Sequence, residues 1–338
     1  MSVSSGATTR TYQISALARE LAPQIATLPR LSRVVERFLL DAARDTATAE
    51  DIGAALDLDP VLRGWVIRQA NSGFWNLARP VTSVAEACVV MGLRPVSRLV
   101  YAACTRDLLR QPLTCYRYPG EGFWLHGLVA GTAARRLADA LGDASPLAPE
   151  AALLAGFLHD VGKLLLDRRL PRAGGPRHVT PAEERSVAGH DHGEYSAAVA
   201  AAWSLPAAIV EAVASHHDAD PPPSARLLAV SDHLLRHWGV GIWTYPRCEL
   251  APPAQELAAL AAPLGCSLPC LAHWWEGLPP VVDGLAEMLR ALGHGTPPAL
   301  PSGAECAPSP AAPAAPEGAR RRRESARTRT RVRRRKRR

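Results

Sequence analysis

Lysine is nearly absent from this chain: two residues, Lys163 and Lys336, stand against 37 arginines. Arginine is therefore the default cation, and a lysine set inside an apolar stretch raises a chemical question. Cysteine lacks the dense, even spacing of a small disulfide scaffold. Seven are scattered at 88, 104, 115, 248, 266, 270 and 306, which excludes a secreted cystine framework and points to a reducing cytoplasm. The N-terminus, MSVSSGATTRTYQISALARE, has no apolar segment after a basic start, and later runs such as CVVMGLRPVSRLVYAAC are broken by Arg94 and Arg98. Neither a signal peptide nor a membrane span is expected. Alternating strand-like segments are scarce, and no repeat of solenoid length recurs.

What is present is apolar and helical in pattern. Hydrophobic residues make up 47% of the 338, enough for a substantial core without disulfides. The formal charge of +7 misleads, because residues 319–338 alone carry +12 and leave a mildly acidic body of −5. Apolar residues recur at three and four spacings from Ile14 to about Arg110, with helices expected at 28–43, across 46–72 with a hinge at Asp59-Pro60, and at 83–92, ended by Gly92. A second block carries expected helices at 123–141, 149–161, 193–203, 206–216, 224–238, 253–262 and 281–292. The fold expected is all-α. A flexible arm (1–13) precedes an N-terminal helical subdomain (14–112) and a second helical subdomain (113–295). The Pro/Ala-rich and Arg-rich remainder (296–338) cannot supply a core and is expected to be disordered.

The segment GFLHDVGKLLL, 156–166, sets His159, Asp160 and Lys163 in an otherwise apolar helix. Adjacent helical residues point about 100° apart, so His159 and Asp160 cannot both face one narrow stripe, yet both can reach an ion just off the helix surface. Further ligands are at hand: His126 in an upstream helix, His190 and His192 in AGHDHGEYSAAVAAAW, His216 and His217 at a helix end, and Asp232 in LLAVSDHLLR. Imidazole and carboxylate together suit Mn, Fe, Co, Ni or Zn, with Mg the harder option. A carboxylate bridging two such ions suits water activation and phosphoester attack.

This order of residues resembles the HD superfamily of metal-dependent phosphohydrolases, and HDVGK at 159–163 matches the form found in its HD-GYP branch. The resemblance implies that His126, His159, Asp160 and Asp232 hold one metal. His192, His216 and His217 would hold a second, with Asp160 between the two. The first block sharpens it: LPRLSRVVERFLL, DLDPVLRGWVIRQANSGFW and PVTSVAEACVVMGLRPVSRLVYA are similar, in order, to the HD-related output domain, HDOD, and AAAWSLPAAIVEAVASHH fits its second half. The likeness covers roughly 20–240. Where the HD-GYP branch has its Gly-Tyr-Pro triplet, this chain has DADPPPSARL, a departure that bears on cyclic-di-GMP hydrolysis.

The resemblance implies a cytoplasmic bacterial signalling module that acts through protein partners, its pocket gated by one or two divalent metals or by a nucleotide. The rival is an active phosphohydrolase of a cyclic dinucleotide or other phosphodiester, with Asp160 and Lys163 as catalytic residues. With no receiver, sensor or cyclase segment legible, input is expected in trans or through the pocket. Plainer readings stand beside these. His159 and Asp160 could cap a helix ended by Gly162, and Lys163 could be a solvated helix end. His190 competes with His192 and reads as a surface residue. Cys266, Cys270 and His273, with Cys248, have a spacing zinc could use, but buried small hydrophobes explain the cysteines better. The tryptophans read as core anchors, with Trp274-Trp275 as an alternative interaction patch. The tail 319–338 has no aromatics to stack bases, so it is either a solvated tail or a weak, salt-dependent contact for nucleic acid or anionic membrane.

Overall fold

The computed structural model describes residues 3–28, 60–71, 77–93, 122–171, 179–237 and 254–278, together with 53, 56, 95, 96, 109, 113–116 and 118. Every regular element among the described residues is helical, and extended backbone pairs only in an isolated bridge between Leu113 and Tyr118. The all-α expectation holds. The expected helices at 28–43 and 281–292 and the tail 296–338 lie outside the described residues.

The chain is helical from Val3, where a flexible arm was expected to residue 13. Helix α1 (Val3–Ile25) buries Ile14, Leu17, Leu21 and Ile25, a stripe at three and four spacings. That stripe lies along α8 (His192–Ala202), so the first helix packs against the second helical block. Near its start the Arg10 guanidinium pairs with Asp218 and donates to the Ala214 carbonyl at 2.7 Å.

Helices α2 (Pro60–Ala70) and α3 (Val84–Met91) pack on each other. Pro60 opens α2, as a residue with no N–H to leave unsatisfied can. Asn71 then holds the approach to α3 through both amide atoms, donating to the Val81 carbonyl at 2.9 Å and accepting from its N–H at 2.7 Å. Ser83 caps α3 by accepting from the Glu86 N–H, and Gly92 ends it at φ +84°.

The centre of the molecule is the pair α4 (Gly122–Leu141) and α5 (Pro149–Leu158). Their backbones meet where side chains are missing: a Cβ at Gly131 would lie 2.5 Å from the Leu153 carbonyl oxygen, and one at Gly156 2.8 Å from that of Ala130. Helix α5 ends at Leu158, short of the expected 161. His159 to Gly162 form the turn into the short α6 (Lys163–Leu166). Gly162 is pinned to α8, its N–H donating to Ser196 Oγ at 2.7 Å, and a Cβ there would sit 2.4 Å from the His192 carbonyl oxygen.

Helix α7 (Pro181–Ala188), which periodicity did not predict, carries a capping box between Thr180 and Glu183 and ends at Gly189 in the left-handed region, φ +81°. Asp191 repeats the capping box with Glu194 at the start of α8. Helices α9 (Ala207–Ser215) and α10 (Pro223–His237) complete the ring around α4 and α5. Beyond them, α11 (Ala254–Ala261) packs on α10 and α12 (Leu268–Glu276) on α4. The Trp274 side chain is buried and its indole N–H donates to the Ala133 carbonyl at 3.0 Å, so it anchors α12 and does not form a surface patch. No described helix is long and apolar enough to cross a membrane.

Candidate metal centre

Three helix ends and two helix faces converge on one buried point. His126 comes from the second turn of α4, His159 and Asp160 from the turn after α5, His192 from the first residue of α8, His216 and His217 from the end of α9, and Asp232 from α10. His126, His159, Asp160, His192, His216 and Asp232 are all buried to within 4% of complete, and His217 is partly buried. All seven residues expected as ligands are therefore brought together.

The ring nitrogens are aimed by what sits behind them. His159 Nδ1 lies 2.7 Å from the Gly156 carbonyl oxygen and His216 Nδ1 2.6 Å from that of Val213. Nδ1 must carry the proton to donate to these carbonyls, which leaves Nε2 with its lone pair toward the pocket. His192 Nδ1 donates in the same way to Glu184, at 2.7 Å from Oε2.

The pocket side is spaced like the ligands of an ion. His126 Nε2 stands 3.4 Å from Asp160 Oδ2 and 3.6 Å from Asp232 Oδ1; His159 Nε2 stands 3.5 and 3.6 Å from the same two oxygens. His192 Nε2 faces the other oxygen of Asp160, Oδ1, at 3.1 Å. Two ligands each about 2.0–2.2 Å from one ion stand roughly 3–3.6 Å apart, so these separations fit a metal. Three groups could hold an ion: His126, His159 and Asp160; His159, His216 and Asp232; and His192, His216 and His217. Within each, the ligand atoms lie within 4.8 Å of one another. His159 Nε2 and His216 Nε2 are buried with no hydrogen-bond partner, and their lone pairs suit a metal ion. His217 is the tightest fit: its Nε2 lies 2.7 Å from His192 Nε2, closer than two ligands of one ion stand.

Charge inside the pocket is unevenly distributed. Burial opposes ionisation of Asp160, yet the His159 ring, the Lys163 ammonium and His192 hold its pKa well below the usual carboxylate range. Burial also opposes ionisation of Asp232, and Arg236, His126 and His159 bring it low as well. For His126, burial disfavours the cation, but the two carboxylates outweigh it and raise its pKa to about 8. His216 has no such support: burial, then the His159 and His192 rings, push it down to about 3. His217 is pushed down for the same reasons, by burial, His216 and His192.

Lys163 Nζ donates to Asp160 Oδ2 at 2.6 Å and lies over the rings of Tyr116 and Tyr118, 5.4 and 5.6 Å from their centroids. It belongs to the pocket and is not a solvated helix end. His190 stands apart, half-exposed and 3.3 Å from Glu194. Cys266, Cys270 and His273 form no candidate metal group among the described residues, and Cys248 lies outside them. Burial and the neighbouring Cys270 push the Cys266 thiol up to about 12, so it stays protonated.

Sequence reasoning missed Glu184, Tyr116, Tyr118 and Arg236. Glu184 is masked by Glu183 beside it, since both read as acids at a helix start. Arg236, four residues after Asp232 on α10 and 3.0 Å from it, was legible as an i,i+4 pair.

Comparison with known proteins agrees with this architecture. A protein of uncharacterized function from Treponema pallidum (strain Nichols) is 22% identical over 219 residues, 62% of this chain; the chain spans about two fifths of that relative's length, 42%. An HDOD domain protein of unknown function from Geobacter sulfurreducens is similar in structure with a TM-score of 0.59 at 20% identity, over 82% of this chain and 99% of that one. A protein named as a candidate phosphohydrolase from Shewanella amazonensis SB2B gives 0.52 at 23%, over 79% and 93%. One named as a candidate signal transduction protein from Marinobacter aquaeolei VT8 gives 0.58 at 22%, over 78% and 60%. At these identities the three structures share a fold with this chain. The HDOD domain pattern itself matches residues 28–219, more than half the chain and all of the pocket but Asp232, and with it the chain belongs to the HDOD domain family.

Proposed function

We propose that this protein is a regulatory module whose His/Asp pocket binds divalent metal, and that metal occupancy is the state it passes to protein partners. The observation that carries the reading is the pair of buried, unpartnered nitrogens, His159 Nε2 and His216 Nε2, the first facing Asp160 and Asp232 and the second grouped with His159 and Asp232. Leaving each unsatisfied costs about 1–3 kcal/mol, and an ion removes that cost. His126, His159, Asp160 and Asp232 would hold one ion. His192, His216 and His217 would hold a second, with Asp160 shared. The mixed imidazole and carboxylate set favours Mn, Fe, Co, Ni or Zn over Mg.

These ligands come from α4, α8, α9, α10 and the turn after α5, so an ion there ties the bundle together and its loss loosens it. That coupling is what a signalling module needs, and the Marinobacter neighbour's name is in keeping with it. A cytoplasmic location belongs to the same reading, supported by the thiols of Cys266 and Cys270, which form no disulfide. The Arg-rich segment 319–338 adds a salt-dependent attraction for polyanions, nucleic acid or anionic lipid.

A second reading, phosphodiester hydrolysis, is favoured by one observation. The two oxygens of Asp160 face different histidines, Oδ2 toward His126 and His159 and Oδ1 toward His192, as a bridging carboxylate would. A bound metal pair would there supply an activated water. Lys163, held against Asp160, would steady a phosphate oxygen of a cyclic dinucleotide or another phosphodiester.

Elemental analysis of the purified full chain, followed by a phosphodiesterase panel with added Mn or Fe, separates the two. Metal-loaded protein is expected to melt at a higher temperature than chelator-treated protein and to hydrolyse nothing. Turnover that is lost with Lys163→Ala would put hydrolysis first. Protein that takes up no metal under any loading condition would sink both readings.

A further inference from the structure

The three buried imidazoles with defined tautomers are not aimed in the same way. His159 and His216 each use a carbonyl three residues back, Gly156 and Val213, in the last turn of the helix they follow. His192 is the first residue of α8, and no helical turn precedes it to supply such an acceptor. Its acceptor comes from another element. Glu184 of α7, completely buried, takes the His192 backbone N–H at 2.7 Å and the Nδ1 proton at 2.7 Å on Oε2, with Oε1 2.9 Å from the same nitrogen.

The far side of Glu184 is also closed. The Tyr116 hydroxyl donates to Oε1 at 2.7 Å, so the carboxylate accepts three hydrogen bonds and none from solvent. Burial, then the Glu184 charge, push the Tyr116 phenol upward, and it remains a donor. A carboxylate in this position can accept only from protonated Nδ1, so in the neutral ring His192 Nε2 carries the lone pair, 3.1 Å from Asp160 Oδ1. The local sequence builds the contact: the Thr180 capping box starts α7, and Gly189, at φ +81°, turns the chain so that His192 returns to face Glu184.

We propose that Glu184 is the positioning residue of this pocket, fixing the orientation and tautomer of His192 and thereby the occupancy of the His192, His216 and His217 half. The inference rests on the metal-binding reading above. A carboxylate behind a metal-binding imidazole also makes its other nitrogen a stronger ligand, and removing such a partner costs about 10–100-fold in metal affinity.

The test uses the full chain titrated with Mn2+ alone, with His192→Ala as the reference that defines which ion depends on this histidine. Glu184→Gln preserves size but not charge. It is expected to weaken that same ion about 10–100-fold while leaving the remaining manganese and the metal-free helical signal in place. In electron paramagnetic resonance, the coupled signal of two neighbouring Mn2+ ions should give way to that of an isolated one. Both ions bound as in wild type by Glu184→Gln would overturn the inference. So would a Glu184→Gln chain that no longer folds while His192→Ala does, since Glu184 would then be a structural carboxylate. Manganese bound by wild type but insensitive to His192→Ala also overturns the inference and leaves metal binding standing, whereas a wild type that binds none removes both.

Discussion

The two halves of the pocket hold their histidines by different means. On one side His126 and His159 lie against two full negative charges, Asp160 and Asp232, and the helices that carry them, α4 and α10 together with α5, are packed in the interior. On the other, His192, His216 and His217 sit at helix ends, and His192 faces one oxygen of Asp160. The first half attracts a cation by charge. The second depends on His216 and His217, which burial keeps neutral, and on lone pairs kept in aim by Glu184, Val213 and backbone packing. Similar residue types thus make one half electrostatic and the other geometric.

Removing the group common to both halves should have the largest effect. Asp160→Ala is expected to strip metal from the whole pocket and to cost about 3–5 kcal/mol in the metal-free fold, as Lys163 and the facing rings lose a buried counter-charge. Elemental analysis and denaturant unfolding would read the two effects, and an ion retained in either half would show that they do not share Asp160.

Next in size are two glycine substitutions that press on different halves. Gly131→Ala drives a Cβ into the Leu153 carbonyl between α4 and α5, and Gly162→Ala drives one into the His192 carbonyl and the Ser196 nitrogen, at 2.4 and 2.6 Å. Each is expected to cost about 1–3 kcal/mol by overpacking. Their effects on metal should differ: Gly162→Ala weakens the His192 half first, Gly131→Ala the His126 half. Equal losses in manganese titrations of the two variants would remove the distinction.

A smaller, graded effect is expected from pH. The His126 pKa, raised to about 8 by the carboxylates against burial, means that an ion must displace a proton there at neutral pH. Its affinity should fall about tenfold per pH unit below about 8. The metal-free fold behaves oppositely: a raised pKa stabilises it below the ordinary histidine value, and the contribution is lost as pH rises through about 8. His216, held down to about 3, imposes no proton competition above about pH 4. Manganese titrations between pH 6 and pH 8.5 would show the slope, and a flat profile would remove His126 as a protonated ligand.

The smallest effect belongs to Arg10. Its pairing with Asp218, next to His217, is partly exposed, and Arg10→Ala is expected to cost less than about 1 kcal/mol. A change in manganese binding larger than the change in melting temperature would mean that α1 reaches the geometric half.

Much of the pocket was legible because its chemistry is written in residue type and order. An imidazole and carboxylate series interrupting apolar helices has few uses, and His126, His159, Asp160, His192, His216, His217 and Asp232 all arrive at one place. The helices were legible wherever a stripe was long, as in α4, α8 and α10. Helix α7 was not, because eight residues with a half-polar face carry little periodicity, and its Thr180 and Gly189 boundaries outweigh its pattern. The start of α1 is set by packing on α8 and the Arg10 to Asp218 contact, which no local window contains. Trp274 was ambiguous between core and surface until α4 was seen opposite it.

The sequence by itself determined the helical class, the family likeness and the inventory of ligands, since these follow from periodicity, order and side-chain chemistry. Only the tertiary structure decided how the ligands are aimed. Whether His192 has an acceptor behind it, which oxygen of Asp160 faces which ring, and which histidines keep a proton all depend on groups remote in sequence. Those distances and that burial fix tautomer and charge, and through them the division of one pocket into two unlike halves.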